Sequence, residues 1–395
     1  MNHHLFVDRL QRALLGTLFL LAICPSVLLA QDDTANNSTT ENPTTSESVS
    51  ESQLADWVAD LGDDQFHRRK AATRKLIDIG SAAVPALVNV MERGDLETID
   101  RAMHCLTEIA LAGPPEKDDG AWGELQRMSQ SNTASRAALA KSSVEEIRKV
   151  RESQAGEALT RAGVRIGIDN FMVRAVSTPE VIVQIDENWS GQIETLGWLR
   201  WVKDIEFARV KGPAIRPDVF ARLVEMPDLK TVAIVDGDVT ATTLRPLQTM
   251  KRVDSLEFRY VDLDRELADE IAKIPVRISL SLMGTGIPKE KVDEMRANLP
   301  GLHIDLRQGG FLGVSCFAGM NTCRVNEVTI GKPAQLAGIE SGDEIVGIDD
   351  EKINSFEDLQ TAINQKVPGD QVEVKFLRNG KLKSVKLSLG KYDNE

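Results

Sequence analysis

Apolar positions change period along the chain. From Leu54 to Leu111 they recur three and four residues apart, with breaks at Gly62, Gly80 and Gly94, which predicts short amphipathic helices. Ile99, Ala102, Met103, Leu106 and Ile109 fall on one helical face. A second helical stretch, Ala134 to Ala162, has a thin apolar stripe and i,i+4 charge pairs such as Glu145/Lys149 to support it. Strand-like runs then end at Phe207, Ile234, Phe258, Leu282 and Leu306, at intervals of 27, 24, 24 and 24 residues. Five, ten and thirteen residues after Ile234 stand Val239, Leu244 and Leu247. The same offsets give Leu263, Ala268 and Ile271 after Phe258, and Ile287, Val292 and Met295 after Leu282. The 27-residue unit obeys this rule if three residues around Lys211–Gly212–Pro213 are inserted before Ile215, Phe220 and Leu223. One strand and one helix therefore repeat through 200–306, and Val181–Ile185 predicts a strand before them.

The last segment alternates strands with two short helices. Strands are predicted from Gly310 to Phe317, at Val325–Thr329, and in the segment Ser341–Ile348. Lys332–Ile339 forms a short helix closed by Gly338, and Ser355 caps a second helix reaching Gln365. Pro368–Gly369–Asp370 turns the chain into a hairpin whose strands, Val372–Arg378 and Leu382–Leu389, meet at Asn379–Gly380, the pair suited to a type I′ turn.

The amino-terminal end has a different character. Arg9 and Arg12 precede an apolar run from Ala13 to Ile23, and a second short run ends at Ala30, which reads as a signal peptide cleaved after Ala30. The alternative is an uncleaved anchor over Ala13–Ala30, the only membrane tether the sequence allows. Residues 31–52, rich in Ser, Thr, Asn and acidic side chains, bury too little to order themselves and read as a disordered linker. The chain is expected to be exported, to the periplasm, cell envelope or beyond. With 47 basic and 60 acidic residues the net charge is −13, which excludes a nucleic-acid backbone as the main partner.

Three regions also resemble known families. Arg69–Leu76, Ile79–Gly80 and Ala83–Leu87, with small alanines where two helices would approach, resemble a HEAT-type hairpin. The 24-residue unit, closest at Gly284–Ile287 through Leu299–Ile304, resembles a leucine-rich repeat, although Phe, Val, Ile and Met replace many ladder leucines and the asparagine ladder is missing. Phe311–Leu312–Gly313–Val314, the Pro333–Ala334…Ala337–Gly338 helix, Gly342–Asp343–Glu344–Ile345 and Pro368–Gly369–Asp370 resemble a bacterial PDZ domain of the kind carried by Do-like serine proteases. Asp350–Glu351 departs from the Asp/Asn–Gly turn usual there. The expected fold is a multi-domain α/β chain: signal peptide 1–30, linker 31–52, HEAT-like helices 53–162, leucine-rich-repeat-like strand–helix stack 163–307, and a PDZ β-sandwich or barrel with two helices at 308–392.

The PDZ resemblance implies a site. A target strand would add beside Val314, Ser315 and the following residues, between that strand and the 355–365 helix. The N–H groups of Leu312, Gly313 and Val314 would hold a terminal carboxylate, and Gly313 would let the anion approach. Phe311, Leu312, Val314 and Ser315, with Phe356, Leu359 and Ile363 opposite, make up the expected peptide-binding set; Leu359 is expected to be shared with the core and Ile363 to face the groove. Cys316 and Cys323 flank a six-residue loop and are a candidate disulfide; the free-thiol reading stays open. Cys105 reads as a buried small apolar residue.

No Gly-x-Ser-x-Gly segment, His-Glu-x-x-His helix or phosphate-binding loop occurs, so no catalytic residue, cofactor or metal is assigned. The expectation is a non-enzyme: an exported, non-catalytic scaffold whose partners are protein or peptide C-termini. The alternative is a protease-associated regulator, or a hydrolase with an unrecognised site near Trp189, Trp198, Trp201 and Asp186/Glu187.

Overall fold

A computed structural model describes residues 49–392, apart from 116, 118–119, 132–133, 174–175 and 318–321. The signal peptide and most of the linker, residues 1–48, lie outside the described residues. The linker's last two residues, Glu51 and Ser52, are helical: Ser50 and Gln53 form a capping box that starts α1 (Glu51–Asp60).

Three further helices follow the predicted pattern, α2 (Phe66–Asp78), α3 (Val84–Arg93) and α4 (Leu96–Ala112), while α5 (Ala121–Ser129) lies outside both predicted helical stretches. The predicted α4 face of Ile99, Ala102, Met103, Leu106 and Ile109 is buried. Burial also pushes the Cys105 thiol up to about 12. Helix α6 (Ala134–Arg161) lies against α4 and α5. Its stripe is thin because one anchor is polar: buried Arg151 donates from Nη2 to the carbonyls of Ala110 (3.0 Å) and Gly113, satisfying the carboxyl end of α4. Trp201 donates from Nε1 to Pro115 O (2.9 Å) and packs on Trp122 with ring centroids 4.9 Å apart. These contacts seal the helical block to the 3-10 segment Ile193–Trp201.

Seven strands make one sheet in chain order: β1 (Arg165–Val173), β2 (Val176–Ile185), β3 (Phe207–Lys211), β4 (Thr231–Val235), β5 (Val253–Arg259), β6 (Val276–Met283) and β7 (His303–Arg307). β1 and β2 are an antiparallel hairpin, and from β2 onward every pair is parallel. Helices α7 (Pro217–Leu223), α8 (Ala241–Gln248), α9 (Arg265–Ala272) and α10 (Lys289–Asn298) cross between them. The register corrects one expectation. Ile234 pairs with Val210, not with a residue three positions earlier, and the rung runs Val210, Ile234, Phe258, Leu282, Leu306 in steps of 24. Ile215, Phe220 and Leu223 then fall five, ten and thirteen residues after Val210, with no insertion. Phe207 belongs to the other face, where its ring meets that of Phe171 on β1.

The carboxyl-terminal module holds β8 (Val314–Cys316), β9 (Cys323–Val328), α11 (Pro333–Leu336), β10 (Glu344–Ile348), β11 (Glu351–Lys352), α12 (Phe356–Asn364), β12 (Gln371–Arg378) and β13 (Lys381–Ser388). Strand order is β13-β12-β10-β9-β8, with β11 off β10. Asp343 ties this sheet together. Arg378 donates to both its oxygens, from Nε and Nη2 at 2.7 Å each, and the Glu340 N–H adds a third bond at 2.9 Å. Burial opposes the charge of Asp343, yet the Arg378 fork and the Glu340 amide outweigh it and hold the carboxyl below its usual range. A lowered folded-state pKa gives stability that is complete above the unfolded value near 3.9 and lost as pH falls through the folded one. Asp343→Asn should destabilise the module by about 2–3 kcal/mol at pH 7. The difference between the two proteins should shrink below about pH 4, measured by hydrogen exchange of β12 amides.

Candidate functional site

Three consecutive carbonyls shape the loop before β8. Phe311 O accepts from Gly390 N–H (3.0 Å), Leu312 O from Ala334 N–H (2.9 Å), and Gly313 O from Thr329 N–H (2.9 Å). In a trans peptide the N–H points opposite to the carbonyl of the same unit. The N–H groups of Leu312, Gly313 and Val314 are therefore turned away from these anchors. Among the described residues, the Leu312 and Gly313 amides meet no backbone acceptor. Gly313 has φ +85°, and a Cβ there would lie 2.6 Å from Lys332 Cβ, so both conformation and space demand glycine. A row of outward N–H groups on such a loop is an anion-binding concavity.

β8, which continues from this loop, is an edge strand paired, among the described residues, only with β9. The Thr329-to-Gly313 bond flanks the Val314–Val328 pair, so Val314 occupies a non-hydrogen-bonded position and its own N–H and C=O face the open edge. Leu312, Leu359 and Ile363 are buried together in the module's core, with half-buried Val314 and Phe356 packed against them. Ile363 thus sits with Leu359 in the core. Ser315 is exposed on β8. Phe311 stands apart from this group, its ring edge-on to Tyr392 at 5.0 Å.

Sequence reasoning missed the supports of the loop. Tyr392 N–H donates to Tyr260 Oη (2.5 Å), which donates to Gly309 O (2.8 Å), and burial raises the Tyr260 hydroxyl to about 12. No motif announces these contacts, because they join positions 132 and 49 residues apart. The other region singled out by the sequence lies around Asp186. Asp186 accepts from Gln184 Nε2 (2.6 Å), Asn188 N–H (2.9 Å) and Asn188 Nδ2 (3.0 Å), an Asx-type turn. Trp198 and Trp201 pack against the apolar core. Among the described residues no three His, Cys, Asp or Glu side chains are grouped to hold a metal.

The family description "PDZ domain" matches residues 310–389. Residues 310–389 are a PDZ domain. A protein of Staphylococcus aureus (strain MRSA252) named "Putative zinc metalloprotease" is 44% identical over 78 residues, which is 20% of this chain and 18% of the relative. The "Periplasmic pH-dependent serine endoprotease DegQ" of Escherichia coli (strain K12) is 31% identical over 100 residues, 25% of this chain and 19% of the relative. A solved serine endoprotease from Yersinia pestis aligns at 25% identity and a TM-score of 0.19, covering 22% of this chain and 30% of that one. The chain spans less than a fifth of the length of these curated relatives. The expectation of a non-enzyme is corrected by their names, which point to proteolysis.

Cys316 and Cys323 sit at the far end of β8, with sulfur atoms 3.2 Å apart. The hydrogen bond between the two sulfurs lowers the pKa of Cys316, while that of Cys323 is raised first by the same bond and then by burial. Cys316 is thus the readier thiolate. Oxidised glutathione should convert the pair to a disulfide, taking up the two electrons and two protons to leave as two reduced glutathiones, read by intact mass as two hydrogen atoms lost and two cysteines closed to alkylation. The module should gain about 2–3 kcal/mol, and Cys316→Ser should abolish both changes.

Proposed function

We propose that this protein acts in proteolysis, and that its PDZ domain captures polypeptides by their C-termini or by extended strands. The observation that carries this reading is the outward row of Leu312, Gly313 and Val314 amides running straight into an open strand edge. A terminal carboxylate would take those amides, and the peptide backbone would pair with β8 from the Val314 C=O onward. Val314 and Phe356 would form the rim of the pocket for the last side chain, with Leu312, Leu359 and Ile363 as its floor. Phe311 would act from behind, by holding the loop on Gly390 and Tyr392.

The protease names among the relatives support the setting, since the similarity falls on the domain that would select the substrate. Export through residues 1–30 fits that setting. We read the 24-residue units as leucine-rich-repeat-like and the first helices as HEAT-like, supported by the parallel register and the buried offsets. Both would hold the domain in place. Among the described residues no helix is long and apolar enough to cross a membrane.

Fluorescence anisotropy with a C-terminal peptide library on the full chain tests the reading. Peptides ending in an apolar residue with a free carboxylate should bind, and amidation of that carboxylate should weaken them about tenfold or more. Val314→Pro removes an edge-facing N–H without a ladder bond and should weaken binding to a similar degree, about tenfold. Cleavage of an unfolded protein, added to the same chain, should fall in the presence of the tightest peptide.

A further inference from the structure

The open edge of β8 does not end at Val314. Cys316 stands opposite Val325, whose backbone groups are both engaged on the other side of β9. Val325 N–H donates to Asp343 O (2.7 Å), and Val325 C=O accepts from Gly342 N–H (2.8 Å). Phe317 N–H donates to Arg324 O (3.1 Å), so Cys316 and Val325 form a non-hydrogen-bonded pair. The Cys316 N–H and C=O therefore face the same open edge as those of Val314. Hydrogen-bonded partners in an antiparallel ladder advance two residues at a time. A peptide whose last residue lies opposite Val314 brings its third-from-last residue opposite Cys316, where the two can exchange a pair of hydrogen bonds.

This second docking point is weakly held. β8 has three residues, and its register on β9 shifts between Ser315 and Cys316, which breaks the ladder just ahead of Cys316. Cys323 is held far better. It is 1% exposed, lies on the strand between β8 and β10, and pairs with Ile345 of β10. The two sulfur atoms are 3.2 Å apart. A disulfide needs about 2.05 Å, so a sulfur displacement of roughly 1 Å closes the gap. A bond there ties the loosely held edge residue to the fixed interior one. Half-buried Cys316 is the sulfur that a small reagent reaches first.

Given peptide capture along β8, on which this inference rests, we propose that Cys316 and Cys323 are a redox control on that capture. Their disulfide fixes the second docking point of β8 and raises affinity for peptides long enough to reach it. The oxidant is a low-molecular-weight disulfide of the glutathione class. The Cys316 thiolate attacks one of its sulfurs and expels the first reagent thiolate. The Cys323 sulfur, giving up its proton, then attacks the Cys316 sulfur of the mixed disulfide and expels the second. The two cysteine protons end on these two thiolates, so two protein thiols become one disulfide and one reagent disulfide becomes two thiols. Fixing the edge beforehand removes part of the ordering cost that a peptide otherwise meets on binding. The gain belongs to the peptide's third-from-last residue, because the bonds of the amide row's carbonyls to Thr329, Ala334 and Gly390 do not involve either cysteine.

The test compares the full chain oxidised with glutathione disulfide and the full chain reduced with a phosphine, each verified by intact mass. Both are titrated by fluorescence anisotropy with the tightest free-carboxylate hexapeptide of the C-terminal library. The same peptide N-methylated at its third-from-last residue, which cannot donate to Cys316 C=O, is titrated beside it. The oxidised chain should bind the unmodified peptide about threefold tighter or more. The N-methylated peptide should bind more weakly, and equally to both forms. Cys323→Ala, treated in the same two ways, should show no difference between them. Failure of the disulfide to form overturns the proposal, and so does equal affinity of the two verified forms for the unmodified peptide. A gain that survives N-methylation overturns it too, since the disulfide would then act away from Cys316. If no peptide binds in either form, peptide capture itself falls and its redox control falls with it.

Discussion

The loop at 311–313 can exist only in a completed module, because each of its three carbonyls is held by a different part of the chain. Gly390 comes from the end of the last strand, Ala334 from α11, and Thr329 from just after β9. The direction of the free amides is thus a consequence of tertiary structure, not of the local sequence. A side chain at 313 would break the arrangement twice, by its φ and by its collision with Lys332. The open edge of β8 depends on the same ties, since Thr329 both anchors Gly313 and sets which backbone groups of Val314 look outward. Recognition of a strand needs such prior order, because ordering the loop on binding would draw on the binding energy.

The ends of the parallel sheet explain why the chain does not divide into independent beads. A repeat buries its apolar faces only against neighbours, so the terminal units need covers. At the first end, α6 and the 3-10 segment Ile193–Trp201 supply one, with Arg151 and Trp201 tying it to α4 and Pro115. At the other end, residues 308–310 lead from β7 directly into the PDZ domain, where Gln308 and Gly310 donate to Asn364 and Lys366. Tyr260, Lys391 and Tyr392 then bring the domain's last residues back to the sheet, with Lys391 paired to Asp236 at 3.2 Å.

Much of this architecture was legible in the sequence, and the failures have a common cause. The 24-residue offsets and the PDZ motifs depend on spacing within short windows, which a sequence displays directly. The phase of the first repeat was misread because Phe207 and Val210 are both apolar strand residues. Alternation identifies two faces but cannot say which is the core when both bury apolar side chains. Phe207 meets Phe171 across a hairpin that folds over the second face. The position of Phe311 was hidden similarly, since its partner Tyr392 follows the whole domain. The proteolytic names belong to relatives more than five times as long as the match, and the matched segment itself carries recognition motifs alone.

The same reasoning places the polar face of the sheet outside any sequence reading. Arg209, Glu257 and Arg259 look like ordinary charged positions on the solvent side of alternating strands. Their burial is created by segments far away in the chain, the β1–β2 hairpin and Tyr392. Tyr392 also packs on Phe311, so a single aromatic ring touches both the buried guanidinium and the residue that opens the amide row. The sheet face and the PDZ loop are therefore neighbours in a contact sense, even though 52 residues separate Arg259 from Phe311 along the chain.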